Sequence, residues 1–139
     1  MTFLKKILLV DYEPRATALV KRALEESGKY LIKEEHDSRL AVNSARWFQP
    51  DLILFDVNRH TIESNSIVRQ LQEDPALQGT PVVFLAINTA EEGGVISAGI
   101  LSGYSFFANP IRVEEFVAYV AELFRVPADL IGSGYRVAS

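Results

Sequence analysis

Asp51-Leu52-Ile53-Leu54-Phe55-Asp56 sets four consecutive apolar residues between two acids and delivers a carboxylate at its last position. So short and solid an apolar run reads as a strand buried on both faces. The arrangement occurs once more, where Ile7-Leu8-Leu9-Val10 leads straight into Asp11. Two buried strands that each end in an aspartate bring both carboxylates to one edge of a parallel sheet, where open α/β folds keep their sites.

Outward from these runs, short apolar segments alternate with longer helical stripes. Pro14 suits a first helical turn. Ala16, Leu19, Val20, Ala23 and Leu24 then follow the spacing of one helix face, and Gly28 is the stop. Tyr30 to Glu35 is a weaker, charged strand expected at a sheet edge. Residues 38–48 read as a second helix with Ala41, Ala45 and Phe48 inward, blocked by Pro50. A loop over 57–62 precedes a helix to about residue 73, built on Ile67, Val68 and Leu71 and ended by Asp74-Pro75. Pro81 to Leu85 is a fourth strand. Thr89 and Glu92 form a capping-box pattern opening a fourth helix, which Gly93, Gly94 and Gly99 weaken. Tyr104 to Ala108 is a fifth strand, and Val113, Phe116, Val117, Val120 and Phe124 line the last helix. Such alternation implies a parallel sheet covered by helices on both faces.

The chain has 139 residues, 48% hydrophobic and 23% charged, which suits one soluble globular domain. A formal charge of −4 with scattered Lys and Arg argues against a nucleic-acid footprint, because phosphate contacts need clustered cations. The absence of cysteine excludes disulfides and thiolate metal sites. The N-terminal Met1-Thr2-Phe3-Leu4-Lys5-Lys6 lacks a signal peptide's apolar core, and no apolar run approaches the roughly 18 residues that span a bilayer. The expected location is the cytoplasm, with no membrane contact.

Four groups of landmarks carry a resemblance: Leu8-Leu9-Val10-Asp11-Tyr12-Glu13-Pro14, Pro50 to Val57, Asp74-Pro75-Ala76-Leu77 with Pro81 to Leu85, and Asn109-Pro110. In this order and spacing the chain resembles a response-regulator receiver domain of the CheY-like superfamily. The resemblance covers residues 4–125 and leaves 126–139 as a C-terminal tail. It implies a flavodoxin-like (βα)5 doubly wound sandwich, with a five-stranded parallel sheet of order 2-1-3-4-5. It also implies phosphorelay signalling, in which an aspartate takes a phosphoryl group from a sensor histidine kinase or phosphotransfer protein, and a downstream protein target reads the result. The face of the fourth helix, fifth strand and fifth helix is the implied partner or homodimer surface. No enzymatic activity is expected beyond autophosphorylation.

The resemblance assigns the acceptor to Asp56 and a Mg²⁺ site to Asp11, Asp56 and the backbone carbonyl of Asn58. Around them the pattern departs. Tyr12 stands where a second acid is usual, Ala86 where a hydroxyl is usual, and Asn109 where a lysine is usual. A phenol is a poor Mg²⁺ ligand. Glu13 follows at the helix start; His60 and Ser64 replace a frequent proline and glycine in the loop. Losing one electrostatic donor at a charged transition state costs on the order of 3 kcal/mol, about a hundredfold in rate. The departures therefore imply a degenerate acceptor site and weaken the case for Mg²⁺. Phe106 occupies the family's aromatic switch position, where an ordinary core phenylalanine is the competing reading.

Plainer readings stand beside these. Asp56 also reads as a strand-ending acid, and Asp11 as a helix N-cap before Pro14. His36 and His60 read as solvated, since two separate histidines make no metal set. Trp47 and Phe48 are adjacent on the second helix, and amphipathic burial is the commoner outcome for such a pair. Two other functions remain: a fully phospho-accepting, Mg²⁺-dependent receiver, and a flavin- or nucleotide-binding protein on the same fold. The latter is disfavoured because Asp11-Tyr12-Glu13-Pro14 offers acid, bulk and a missing N–H where phosphate would bind.

Overall fold

The computed structural model describes residues 4–11, 14–56, 66–67, 69–71, 73–88, 95–100 and 111–125. Strand β1 (Lys5–Val10) leads to helix α1 (Pro14–Glu26) and strand β2 (Tyr30–Glu35). A 3-10 turn (Ser38–Leu40) opens helix α2 (Ala41–Phe48), followed by β3 (Leu52–Asp56). Helical residues within 66–73, here α3, precede a second 3-10 turn (Pro75–Leu77) and β4 (Val82–Asn88). Strands β5 (Val95–Ile100) and β6 (Ile111–Arg112) and helix α4 (Val113–Leu123) complete the described fold.

The sheet runs β2-β1-β3-β4-β5-β6. Its first four strands are parallel, in the expected order 2-1-3-4, with β2 at the edge. Strict alternation divides the core between two faces. Ile7, Leu9, Leu52 and Leu54 pack with Val20 and Leu24 of α1 and Phe116 and Val120 of α4. Leu8, Val10, Ile53 and Phe55 point the other way, onto Ala41 and Ala45 of α2 and Ile67 and Leu71 of α3. Burying each such large side chain contributes about 1.5–3 kcal/mol, so these solid apolar strands are stable only as the inner layer of a three-layer sandwich.

Local signals set the element ends. After α1, Gly28 takes φ +73°, a conformation available to glycine at no steric cost. The N–H of Gln49 caps α2 on the carbonyl of Ala45 at 2.8 Å, before Pro50. Asp74 accepts from the N–H of Ala76 at 2.9 Å and from Arg46 Nε at 2.6 Å, turning the chain from α3 towards β4. The stripe of α1 is rotated from expectation: Thr17, Val20 and Leu24 are buried, while Leu19 is exposed. On α2 the adjacent aromatics separate. Phe48 is partly buried beneath the Lys6 ammonium, and Trp47 is 88% exposed.

The far edge of the sheet corrects the expected five parallel strands. Residues 95–100, expected in a fourth helix, form β5, antiparallel to β4 from Asn88↔Val95 to Val83↔Ile100, and β6 pairs antiparallel to β5. Gly99 disfavours a helix, while the β-branched Val95, Ile96 and Ile100 favour a pleated strand. An antiparallel neighbour also needs only a short connection, whereas a parallel one needs a crossover. With this partner β4 extends to Asn88, three residues beyond its expected end. Among the described residues, the implied partner face of fourth helix, fifth strand and fifth helix is not built in that form. The expected fifth strand at Tyr104–Ala108 lies outside the described residues, as does the tail 126–139.

Candidate functional site

The parallel register builds the site from three strand ends. Val10 pairs with Glu35 of β2 on one side and with Phe55 of β3 on the other. One step further along, His36, Asp11 and Asp56 therefore form a row across β2, β1 and β3. Parallel neighbours in such a row lie about 4.8 Å apart. The N–H of Asp11 donates to the Glu35 carbonyl at 2.9 Å and holds Asp11 in that row. Asp56, the last residue of β3, pairs with Leu85 of β4 and is 7% exposed. The two carboxylates predicted to share one sheet edge do so, and both are buried.

Asp11 is engaged by protein donors on both oxygens. The hydroxyl of Thr17, buried in the first turns of α1, donates to Oδ2. Nδ1 of His36 lies 2.7 Å from Oδ1. The His36 ring continues the chain of contacts, with Nε2 at 3.6 Å from Glu34 Oε2, and Lys21 Nζ from α1 reaches Glu34 Oε1 at 3.0 Å. Burial pushes the Asp11 carboxyl above its ordinary value, against the opposing pull of the Thr17 and His36 hydrogen bonds. The hydrogen bond to Asp11 raises the His36 imidazole, and Glu34 raises the Lys21 ammonium.

This corrects the solvated reading of His36. Its ring is 53% exposed but anchored to Asp11. Thr17 went unnoticed as well. For His36 a signal existed: β2 ends at Glu35 as β1 ends at Val10, so the residues that follow must be neighbours. Thr17 carried no such signal beyond its place on the buried stripe of α1.

Asp11, Glu34 and His36 bring ligand atoms within 4.8 Å of one another, close enough for one metal ion. The chemistry of the set is two carboxylates and an imidazole nitrogen. Mg²⁺ asks for oxygen ligands at about 2.0–2.1 Å and gives up its water reluctantly, whereas imidazole suits first-row transition ions. With a donor already on each Asp11 oxygen and an imidazole nitrogen in the set, the Asp11, Glu34 and His36 cluster does not offer the all-oxygen shell of Mg²⁺. Of the other anticipated positions, Ala86 follows Leu85 within β4, opposite Ser97 of β5. Tyr12, Asn58, Phe106 and Asn109 lie outside the described residues, as do Glu13, His60 and Ser64. Among the described residues no helix is long and apolar enough to cross a membrane.

No family model matches the chain. Its sequence is 31% identical over 121 residues to the transcriptional regulatory protein TrcR of Mycobacterium tuberculosis, covering 86% of this chain and 45% of that protein. The chain thus spans under half the length of that curated relative. The structure is similar to a response regulator from Desulfuromonas acetoxidans, with TM-score 0.65 and 24% identity, covering 87% of this chain and 97% of the other. It is also similar to the receiver domain of a signal-transduction histidine kinase from Syntrophus aciditrophicus, with TM-score 0.61 and 23% identity over 97% and 95% of the two chains. These structural likenesses show an α/β fold of the flavodoxin-like kind.

Proposed function

We propose that this chain, a receiver domain of the response-regulator kind, signals in a two-component phosphorelay through protein contacts, with Asp56 as a degenerate phospho-acceptor. The observation that carries this reading is the committed state of Asp11. The carboxylate beside the acceptor accepts hydrogen bonds from Thr17 and His36 instead of standing open.

Acyl-phosphate formation brings an anionic carboxylate against an anionic phosphoryl group, so positive charge has to be concentrated at the acceptor. Asp56 has the buried strand-end position that such an acceptor needs. Among the described residues, His36 is engaged by Asp11 and Lys21 by Glu34. Sequence adds the neutral Ala86 and Asn109 where a hydroxyl and a lysine are usual. Asp56 therefore keeps its place while phosphoryl capture is slowed.

The partners of this reading are a histidine kinase or phosphotransfer protein upstream and a protein target downstream, met in the cytoplasm and without catalytic turnover by this chain. The net charge of −4 favours protein over nucleic acid as the direct contact. The experiment is incubation with Mg²⁺ and acetyl phosphate, followed by intact-mass measurement. The expected result is a trace phosphoryl increment at most, lost in Asp56→Asn. Rapid stoichiometric labelling would instead establish the second reading, a fully competent acceptor, which the buried position of Asp56 favours.

A further inference from the structure

We propose that His36 is a built-in occupant of the acidic corner, whose imidazole, together with the Thr17 hydroxyl, takes Asp11 out of service as a ligand for Mg²⁺. The inference rests on the receiver reading above and deepens it, because it names the residue that blocks the expected cation. Its ground is the geometry of one row of strand ends. Asp11 is 1% exposed, and its carboxylate oxygens accept from two different elements, the end of β2 and the first turns of α1.

The His36 ring is held at Nδ1, and its Nε2 faces a second acid. Nδ1 lies 2.7 Å from Asp11 and Nε2 lies 3.6 Å from Glu34. Glu34 is itself paired through Oε1 with Lys21 at 3.0 Å. Tyr12, next in sequence, brings no second carboxylate. Mg²⁺ keeps several waters and needs carboxylate oxygens on a near-octahedral shell. To reach Asp11 it has to displace the imidazole and break a charge-assisted hydrogen bond that the fold has already made. His36 acts on the site through Asp11, so it is a positioning residue.

The test is isothermal titration calorimetry with Mg²⁺ alone on the wild-type chain, His36→Ala, and His36→Ala combined with Asp11→Asn. Circular dichroism checks that each variant is folded. His36 is half exposed, so its truncation leaves the core intact. The expected result is weak Mg²⁺ binding by the wild type and a gain of about tenfold or more in His36→Ala, the equilibrium equivalent of one hydrogen bond to a charged group. The gain disappears in the double variant, which locates the ion at Asp11. In the wild type, the His36 ring signals in an NMR titration stay fixed as Mg²⁺ is added.

Equal affinity in the wild type and His36→Ala, whether strong or absent, overturns the proposal. So does a gain that survives Asp11→Asn. Either failure leaves the receiver reading intact, since that reading stands or falls on phosphoryl labelling of Asp56.

Discussion

His36 and Asp11 stand side by side one register step past Glu35 and Val10, joined by a 2.7 Å contact between Nδ1 and Oδ1. The pair puts a half-exposed ring against a wholly buried carboxylate. Beyond Asp11 in the same row lies Asp56. The neighbour of the proposed acceptor is therefore already engaged from its far side, by a group of the protein.

Thr17 is the other donor to Asp11, and it is buried. In Thr17→Val the shape is kept and the hydrogen bond is lost, leaving a buried acceptor short of one partner. The expected loss is about 1–3 kcal/mol of unfolding free energy, read from urea denaturation.

Asp11 itself is held at some expense to stability. Burial raises its carboxyl pKa, so the charged form is disfavoured in the folded chain. A group raised in this way supports folding below its unfolded value and loses that support as pH rises through the folded one. Asp11→Asn removes the ionisable group, and its melting temperature at neutral pH should equal or exceed that of the wild type. A large drop would mean that the His36 and Thr17 contacts outweigh desolvation.

Asp74 works in the opposite sense. The N–H of Ala76 first, and then Arg46, holds its carboxyl below the usual value. Its contribution is present above the unfolded pKa, near 4, and fades as pH falls through the depressed folded value. Asp74→Ala should lower the melting temperature at neutral pH and flatten its acid dependence. Thermal unfolding over a pH series reads both effects.

Core and surface aromatics should separate cleanly. Phe116 is wholly buried between α4 and the sheet, and Phe116→Ala is expected to cost about 3–5 kcal/mol. Trp47 is 88% exposed, and Trp47→Ala should change stability by no more than about 0.5 kcal/mol. Chemical denaturation of the two variants makes the comparison.

Much of this was legible in the sequence, for physical reasons. Ile7–Val10 and Leu52–Phe55 are apolar at every position, which only a strand covered on both faces tolerates, and each ends in its aspartate. The order 2-1-3-4 was what the resemblance to receiver domains implied, and the first four strands of the sheet have it. The stretch 95–100 misled because Thr89 and Glu92 look like a helix start, while what makes it a strand is its antiparallel pairing with the preceding β4, which no local pattern announces. Trp47 could not be placed, since adjacent aromatics on a helix point in different directions and the sequence does not say which is inward. His36 was missed because its partner lies 25 residues away across a strand pair. The register already contained that contact, for a reader who carried it one step past the strand ends.

The most direct measurement is an NMR titration of the wild-type chain with Mg²⁺ and beryllofluoride, a mimic of the aspartyl phosphate. The account predicts no saturable shift of the Asp56 and Leu85 amides at concentrations that fill an ordinary receiver. A saturable, Mg²⁺-dependent shift at those amides, absent in Asp56→Asn, would contradict it.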